Sequence, residues 1–269
     1  PVILATRLQS TIELLSEVES APRPADAVTS GWFRDRRHIN DADRGAIIEL
    51  LYALLRHRAR LGWWLARRQS RDTLRNRLLA WLALAEGQTP DQIKRLFDGA
   101  KLAPAALSKP EYALILGLRG SAMDHAEMPQ EVRLECPVWA AGPLRQRFGQ
   151  AFETEMVATL LPPPLDLRVN PIKSNRETVL RALNAMGLHA EATKLAPRGI
   201  RLRERLSLAR LAGLKTGEIE IQDEGSQLVA LLVNAKPGDR VVDFCAGAGG
   251  KTLAIAAQMQ NKGHLIACD

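Results

Sequence analysis

Residues 240–269 constrain the fold of this chain more than any other stretch. Arg240-Val241-Val242-Asp243-Phe244-Cys245 is an apolar run of strand length, of the kind buried in parallel sheets. Ala246-Gly247-Ala248-Gly249-Gly250 makes a glycine-rich turn, and a helix is expected from about Lys251 to Gln260. Asn261-Lys262-Gly263 breaks that helix, and His264-Leu265-Ile266-Ala267-Cys268-Asp269 is a second strand. Strand, turn, helix and strand in this order open a doubly wound α/β sheet. Just before it, Asp223-Glu224-Gly225-Ser226-Gln227 leads into an apolar helix, Leu228 to Val233, and Lys236-Pro237-Gly238-Asp239 forms a turn. Two strands and one helix do not cover both faces of a parallel sheet, so the intact protein is expected to continue past Asp269.

Three ligands compete for the glycine turn. A phosphate-cradling loop needs Gly, four residues, then Gly-Lys-Ser/Thr. Gly250-Lys251-Thr252 fits the end, but the first glycine position holds Cys245. A dinucleotide fingerprint needs GxGxxG, and its third glycine position holds Thr252. S-adenosylmethionine asks for an apolar strand ending near an acid and then GxGG. Asp243 and Gly247-Ala248-Gly249-Gly250 supply both. Glycines let the main chain approach a ligand closely, and amides at a helix start bind a carboxylate. Asp269, ending the next strand, is placed to accept hydrogen bonds from ribose hydroxyls. The expected cofactor residues are Cys245, Ala246, Gly247, Ala248, Gly249, Gly250, Lys251 and Asp269. A turn that merely packs is the bland alternative.

Residues 1–128 carry helical periodicity and no strand-like alternation. Leu4, Leu8, Ile12 and Leu15 form one stripe. Helices are expected from Asp41-Ala42-Asp43 through Leu55, around Trp63-Trp64-Leu65, from Leu74 to Ala85, and from Thr89-Pro90-Asp91 onward. Between Gly31 and Arg77 twelve arginines face five acids, an excess of +7 that equals the net charge of the whole chain. Arginines with interleaved tryptophans suit phosphate contact and base stacking. A solvated arginine face over a tryptophan-anchored core explains the same pattern. The candidate RNA contacts are Arg34, Arg36, Arg37, Arg56, Arg58, Arg60, Arg67 and Arg68, with Arg168 further along.

Residues 129–164 read as a proline-punctuated connector with one helix over Leu144–Leu161. Residues 165–222 read as a small α+β platform. Its strands are Leu167–Asn170, a strand-like stretch from Ala196 to Leu206, and Gly217–Gln222. A helix between them starts with a Ser174/Glu177 capping box, buries Val179, Leu180, Leu183 and Met186, and ends at Gly187.

The rest of the composition narrows the class. No run approaches the length of a membrane span, and Pro1-Val2-Ile3-Leu4 is too short for a signal peptide, so a cytoplasmic protein is expected. Three cysteines, Cys136, Cys245 and Cys268, include no CxxC pair, and the five histidines show no ligand spacing, so no metal is expected. Cys268 is expected in the core.

Asp243-Phe244-Cys245-Ala246-Gly247-Ala248-Gly249-Gly250-Lys251-Thr252 closely resembles motif I of the Sun/Fmu (RsmB-like) family of RNA cytosine-5 methyltransferases. Gly247-Ala248 stands where Ala-Pro or Gly-Pro is commoner. Ile221-Gln222-Asp223-Glu224-Gly225-Ser226-Gln227 resembles the family's Gln-Asp…Ser-Gln segment, and Leu167–Asn170 a strand of its RRM-like subdomain. Residues 1–128 are similar to its NusB-like helical domain. The resemblance implies a multidomain fold: an all-α NusB-like domain over 1–128, a connector over 129–164, an RRM-like α+β subdomain over 165–222, and the beginning of a class I, Rossmann-like methyltransferase domain over 223–269. It also implies S-adenosylmethionine as cofactor and RNA, ribosomal or transfer, as partner. In such enzymes a cysteine thiolate attacks cytosine carbon 6 so that carbon 5 takes the methyl group, with the base unstacked. That nucleophile is expected beyond Asp269, Cys245 matching the motif I cysteine instead. No catalytic residue is therefore assigned within the chain, and the 269 residues alone are expected to be inactive. A non-catalytic RNA-binding or assembly protein is the alternative.

Overall fold

A computed structural model describes residues 4–203 and 211–269. The chain divides into two compact units, Pro1–Leu161 and Pro162–Asp269.

The first unit is helical: α1 (Leu4–Ser20), α2 (Ala25–Arg34), α3 (Asp41–Arg56), α4 (Arg58–Arg67), α5 (Leu74–Leu84), α6 (Pro90–Leu96), α7 (Lys109–Leu118), α8 (Gln130–Arg133), α9 (Val138–Phe148) and α10 (Phe152–Leu160). Local chemistry writes several of the starts. The side chain of Asn40 accepts the Asp43 amide at 2.9 Å, and Thr73 accepts that of Asn76. Thr89 with Gln92 and Ser108 with Glu111 form full capping boxes, each followed by a proline in the first turn. Each cap stabilises its helix by about 1 kcal/mol. Helix α5 runs through the core, where Leu78, Leu79 and Leu82 meet Leu8, Leu14 and Leu15 of α1, Ile47 and Leu51 of α3, and Leu61, Trp64 and Leu65 of α4.

Here the fold adjusts the sequence expectations. The buried residues of α1 are Ala5, Leu8, Thr11, Leu14 and Leu15, with Ile12 partly buried against the same core, and Leu4 is half exposed. Residues 130–160 carry α8, α9 and α10 around their own small core of Leu134, Cys136, Ala140, Ala141, Phe152 and Met156. The single helix expected over 144–161 is two. Gly149 adopts φ +53, and a 3₁₀ turn over Gly149–Ala151 separates α9 from α10.

The second unit contains β1 (Leu165–Val169), α11 (Arg176–Ala185), β2 (Ala190–Ala192), β3 (Gly199–Leu202), α12 (Ala212–Thr216), β4 (Ile219–Ile221), α13 (Glu224–Leu232), β5 (Arg240–Asp243), α14 (Gly250–Gln258) and β6 (His264–Ala267). The first four strands form an antiparallel sheet in the order β2-β3-β1-β4. Its core is Leu167, Val169, Leu183, Ile200, Leu202 and Ile219. Helix α11 begins one residue later than expected: Asn175, not Ser174, caps it by accepting the Thr178 amide at 2.9 Å. Met186, past the last turn, is 48% exposed and not part of the core. Of the stretch expected as a strand over 196–206, Gly199–Leu202 is β3, and residues 204–206 lie outside the described residues.

β5 and β6 pair in parallel, with Val241 opposite Leu265 and Val242 opposite Ile266. Alternate residues point to opposite faces of a strand. Val241 and Leu265 pack against Ala254 and Ile255 of α14, Met259 just after it, and Ala230 of α13. Val242 and Ile266 are 58% and 56% exposed. The expectation of a fully buried strand is thereby corrected: α13 and α14 supply apolar cover on one face.

Candidate functional site

The loop between β5 and α14 is stitched at both ends. The Asp243 carbonyl accepts the Cys268 amide at 2.8 Å, and the Cys268 carbonyl accepts the Ala246 amide at 3.0 Å. The buried Asp243 carboxylate accepts the Thr252 hydroxyl at 2.6 Å, tying the first turn of α14 to the end of β5. These bonds hold the segment after β6 against the loop. As a result Asp269 Oδ2 lies 3.8 Å from where a Cβ would stand on Gly247. The glycine turn and the terminal aspartate, 22 positions apart, are thus brought together.

The glycines serve different purposes. Gly249 caps α14 at φ +84, a conformation costly for any residue with a Cβ, and a Cβ there would meet nothing within 4 Å. The turn is open at that point rather than plugged by neighbours. Gly250 has ordinary helical geometry, but its Cβ would stand 3.4 Å from Gln222 Nε2. Ala246 is buried; Cys245, Gly247, Ala248 and Asp269 are exposed; Lys251 is half-buried in the first turn of α14. Cys268 is exposed, not in the core as expected, because it follows β6 on the uncovered side of the pair. Cys136 is buried in the small core of the first unit.

Sequence reasoning missed how the antiparallel sheet reaches this loop. Arg168 of β1 is 5% exposed and is not a surface contact. Its guanidinium donates to the Glu220 carboxylate, to Gln222 Oε1 and, at 2.5 Å, to the Gly250 carbonyl. Burial pulls its pKa below the ordinary guanidinium value, and Glu220 opposes that pull. Two charged residues, Asp166 and Arg168, alternating with buried apolar ones along one strand were the available signal. Beside it, the Glu224 carboxylate accepts the amides of Leu195 and Ala196, which holds its pKa below the usual glutamate value.

The other arginine candidates lie in the first unit and divide into two groups. Arg60 is 8% exposed and donates to Asp124 at 2.9 Å and to Glu135, so it leaves the candidate surface. Desolvation raises the pKa of Glu135, against the amides of Arg60 and Ala59 that stabilise its charge. Arg67 pairs with Glu127 and lies over Trp63, Arg68 lies over Trp64, and Arg58 stands 3.8 Å from Glu19. Arg56 is half-buried in the last turn of α3. Arg36 sits 3.9 Å over the ring of the buried Trp32, whose indole is therefore unavailable for base stacking. Arg34 and Arg37 are exposed and, with Arg44 and Phe33, line a cleft of about 400 Å³ that also includes Asp41.

A family model described as the ferredoxin-like domain of RsmF/B-like methyltransferases matches residues 136–209. The ribosomal RNA small subunit methyltransferase B of Xylella fastidiosa (strain 9a5c) is 32% identical over 225 residues, covering 78% of this chain and 51% of that protein. The chain belongs to the Sun/Fmu (RsmB-like) family. The probable ribosomal RNA small subunit methyltransferase B of Bacillus subtilis (strain 168), 28% identical over 253 residues, covers 86% of this RsmB-like chain and 55% of its own length. The RsmB-like chain therefore spans about half the length of the curated relatives it matches. In fold it is similar to the crystal structure of PH0851, with a TM-score of 0.76 at 18% identity, over 100% of this chain and 64% of that one. Among the described residues no helix is long and apolar enough to cross a membrane, and no cluster of His, Cys, Asp and Glu could hold a metal.

Proposed function

We propose that the protein is an S-adenosylmethionine-dependent RNA cytosine-5 methyltransferase acting on ribosomal RNA, and that residues 245–251 with Asp269 form its cofactor site. The observation that carries the proposal is the open turn at Gly247–Gly250 with the Asp269 carboxylate beside it. A nucleoside cofactor with an amino-acid tail needs both ends of such a site. Amides of the α14 start take its carboxylate, and an acid at the end of the second strand takes its ribose. Side chains would clash with close approach at Gly247 and Gly249; a Cβ at Gly249 would meet nothing within 4 Å, and one at Gly247 would meet the Asp269 carboxylate at 3.8 Å. When bound, the cofactor supplies an electrophilic methyl group. This chain's own residues hold and orient it. The relatives named as ribosomal RNA methyltransferases support ribosomal RNA as substrate.

The domain assignment belongs to the same proposal: a NusB-like helical part over 1–128, a connector over 129–164, an RRM-like platform over 165–222, and the start of a Rossmann-like methyltransferase domain from 223. Arg34 and Arg37, exposed on their cleft, are the first-unit residues best placed to meet an RNA phosphate. The test is calorimetric titration with S-adenosylmethionine against ATP, followed by methyl transfer to ribosomal RNA by a longer form that includes sequence beyond Asp269. Binding of the sulfonium nucleoside, and not of ATP, is expected. The reverse preference would restore the phosphate-loop alternative, and turnover by the 269 residues alone would overturn the placement of the nucleophile.

A further inference from the structure

We infer that Arg168 is a positioning residue, which fixes the carboxylate-binding side of the glycine turn from the neighbouring antiparallel sheet. The inference rests on the S-adenosylmethionine reading of that turn. Arg168 stands on β1 directly opposite Glu220 on β4. Its side chain is 7% exposed, and Glu220 balances its charge. One arm of the guanidinium serves Glu220, and the other serves Gln222 Oε1 and the Gly250 carbonyl. Only arginine presents a planar fork able to meet three acceptors at once; lysine is a point donor.

Gln222 is itself anchored. Its amide donates to the Asp166 carbonyl at 3.0 Å, and its carbonyl accepts Gln227 Nε2 at 2.8 Å. Its side-chain Nε2 donates to the Ser226 hydroxyl at 3.1 Å, and Gln227 reaches the Leu167 carbonyl. Arg168 on β1 and Gln222, in the turn between β4 and α13, therefore form a rigid seat. The first residue of α14 rests on that seat, with only a glycine's width between Gly250 and Gln222. The first turn of α14 has two anchors: Thr252 to Asp243 on β5, and Gly250 to Arg168 on β1. Two anchors define the direction of the helix, and with it the aim of the amides at its start. The ribose side depends instead on Asp269, which is held through Cys268 and makes no use of Arg168. Loss of Arg168 therefore weakens one end of the cofactor selectively. It also explains why the Leu167–Asn170 and Gln222–Gln227 segments accompany the glycine turn: they build its seat.

The test compares the unsubstituted chain with Arg168→Lys and with a combined Arg168→Met and Glu220→Gln variant, the second change avoiding a stranded carboxylate. Two ligands are titrated by calorimetry: S-adenosylhomocysteine, and methylthioadenosine, which keeps the nucleoside and lacks the carboxylate. Hydrogen exchange of the 247–253 amides is followed without ligand. The combined variant is expected to lose about tenfold or more in affinity for S-adenosylhomocysteine and less than about twofold for methylthioadenosine. Arg168→Lys should recover part of the loss. Exchange in 247–253 should rise, while β1 and β3 keep their protection. Unchanged binding and exchange overturn the inference. So does an equal loss for both ligands with faster exchange across the antiparallel sheet, which marks a general structural role. If the unsubstituted chain binds neither ligand, the cofactor reading fails, and the exchange result still decides whether Arg168 positions the turn.

Discussion

In the helical unit, buried arginines hold helices to one another. Arg60 joins the start of α4 to Asp124 and Glu135, and Arg77 joins α5 to Asp72 and to Glu19 of α1. In the second unit the buried Arg168 is directed at main chain, the carbonyl of Gly250. The apolar interiors differ in the same sense. The first unit gathers Leu8, Ile47, Leu61, Trp64, Leu78 and Phe97 into one large cluster, in addition to the small core around Leu134 and Phe152. The second has two smaller clusters, and leaves Val242, Phe244 and Ile266 exposed. One unit derives its shape from apolar volume, with ion pairs as staples. The other relies on polar bonds to set the path of a loop that packing alone leaves undetermined. Polar seats of this kind contribute geometry more than stability, because desolvation offsets much of the attraction between buried charges.

Trp64 should show the largest effect. It is 2% exposed, and its indole N–H donates to the Met123 carbonyl at 2.9 Å. Trp64→Ala is expected to destabilise the helical unit by about 3–5 kcal/mol. The readout is the denaturant midpoint; a loss under about 1 kcal/mol would show that apolar volume does not dominate there.

Arg60→Met comes next. It strips Glu135 of its cation while leaving it two amide donors, and should cost about 2–3 kcal/mol. Changing Glu135 to Gln as well, which removes the stranded charge and keeps an oxygen acceptor for the amides of Ala59 and Arg60, should recover part of that loss. If the double variant is as weak as the single one, the pair is not a mere staple and the contrast with Arg168 narrows.

Gly249→Val places a β-branched residue at φ +84, costing roughly 1–2 kcal/mol. Its larger consequence is functional: S-adenosylmethionine binding should vanish in calorimetry. Undiminished affinity would remove the turn from the site.

The smallest effect concerns Glu224, whose pKa is lowered by the amides of Ala196 and Leu195. A depressed carboxyl contributes stability that is present above the unfolded glutamate value, about 4.3, and is lost as pH falls through the lower folded value. Protection of the Leu195 and Ala196 amides should therefore decline below about pH 4.3 in the unsubstituted chain. In Glu224→Gln it should be weaker at neutral pH and insensitive to this titration. Equal pH profiles would remove the carboxylate from that contact.

Neighbouring residues alone determined much of this protein. The caps at Thr89 and Ser108, the glycine turn after Asp243 and the strand-forming runs on either side of it follow from local sterics and local donors. So does the break at Gly149, which a run of otherwise helical residues masks. Tertiary structure alone decided which arginines face solvent, which side of β5 is covered, and what meets Gly250. The reason is distance along the chain. Arg168 finds its partners 52, 54 and 82 residues away. No local preference encodes an encounter of that kind; it exists only once the topology has carried those acceptors to the same few ångströms.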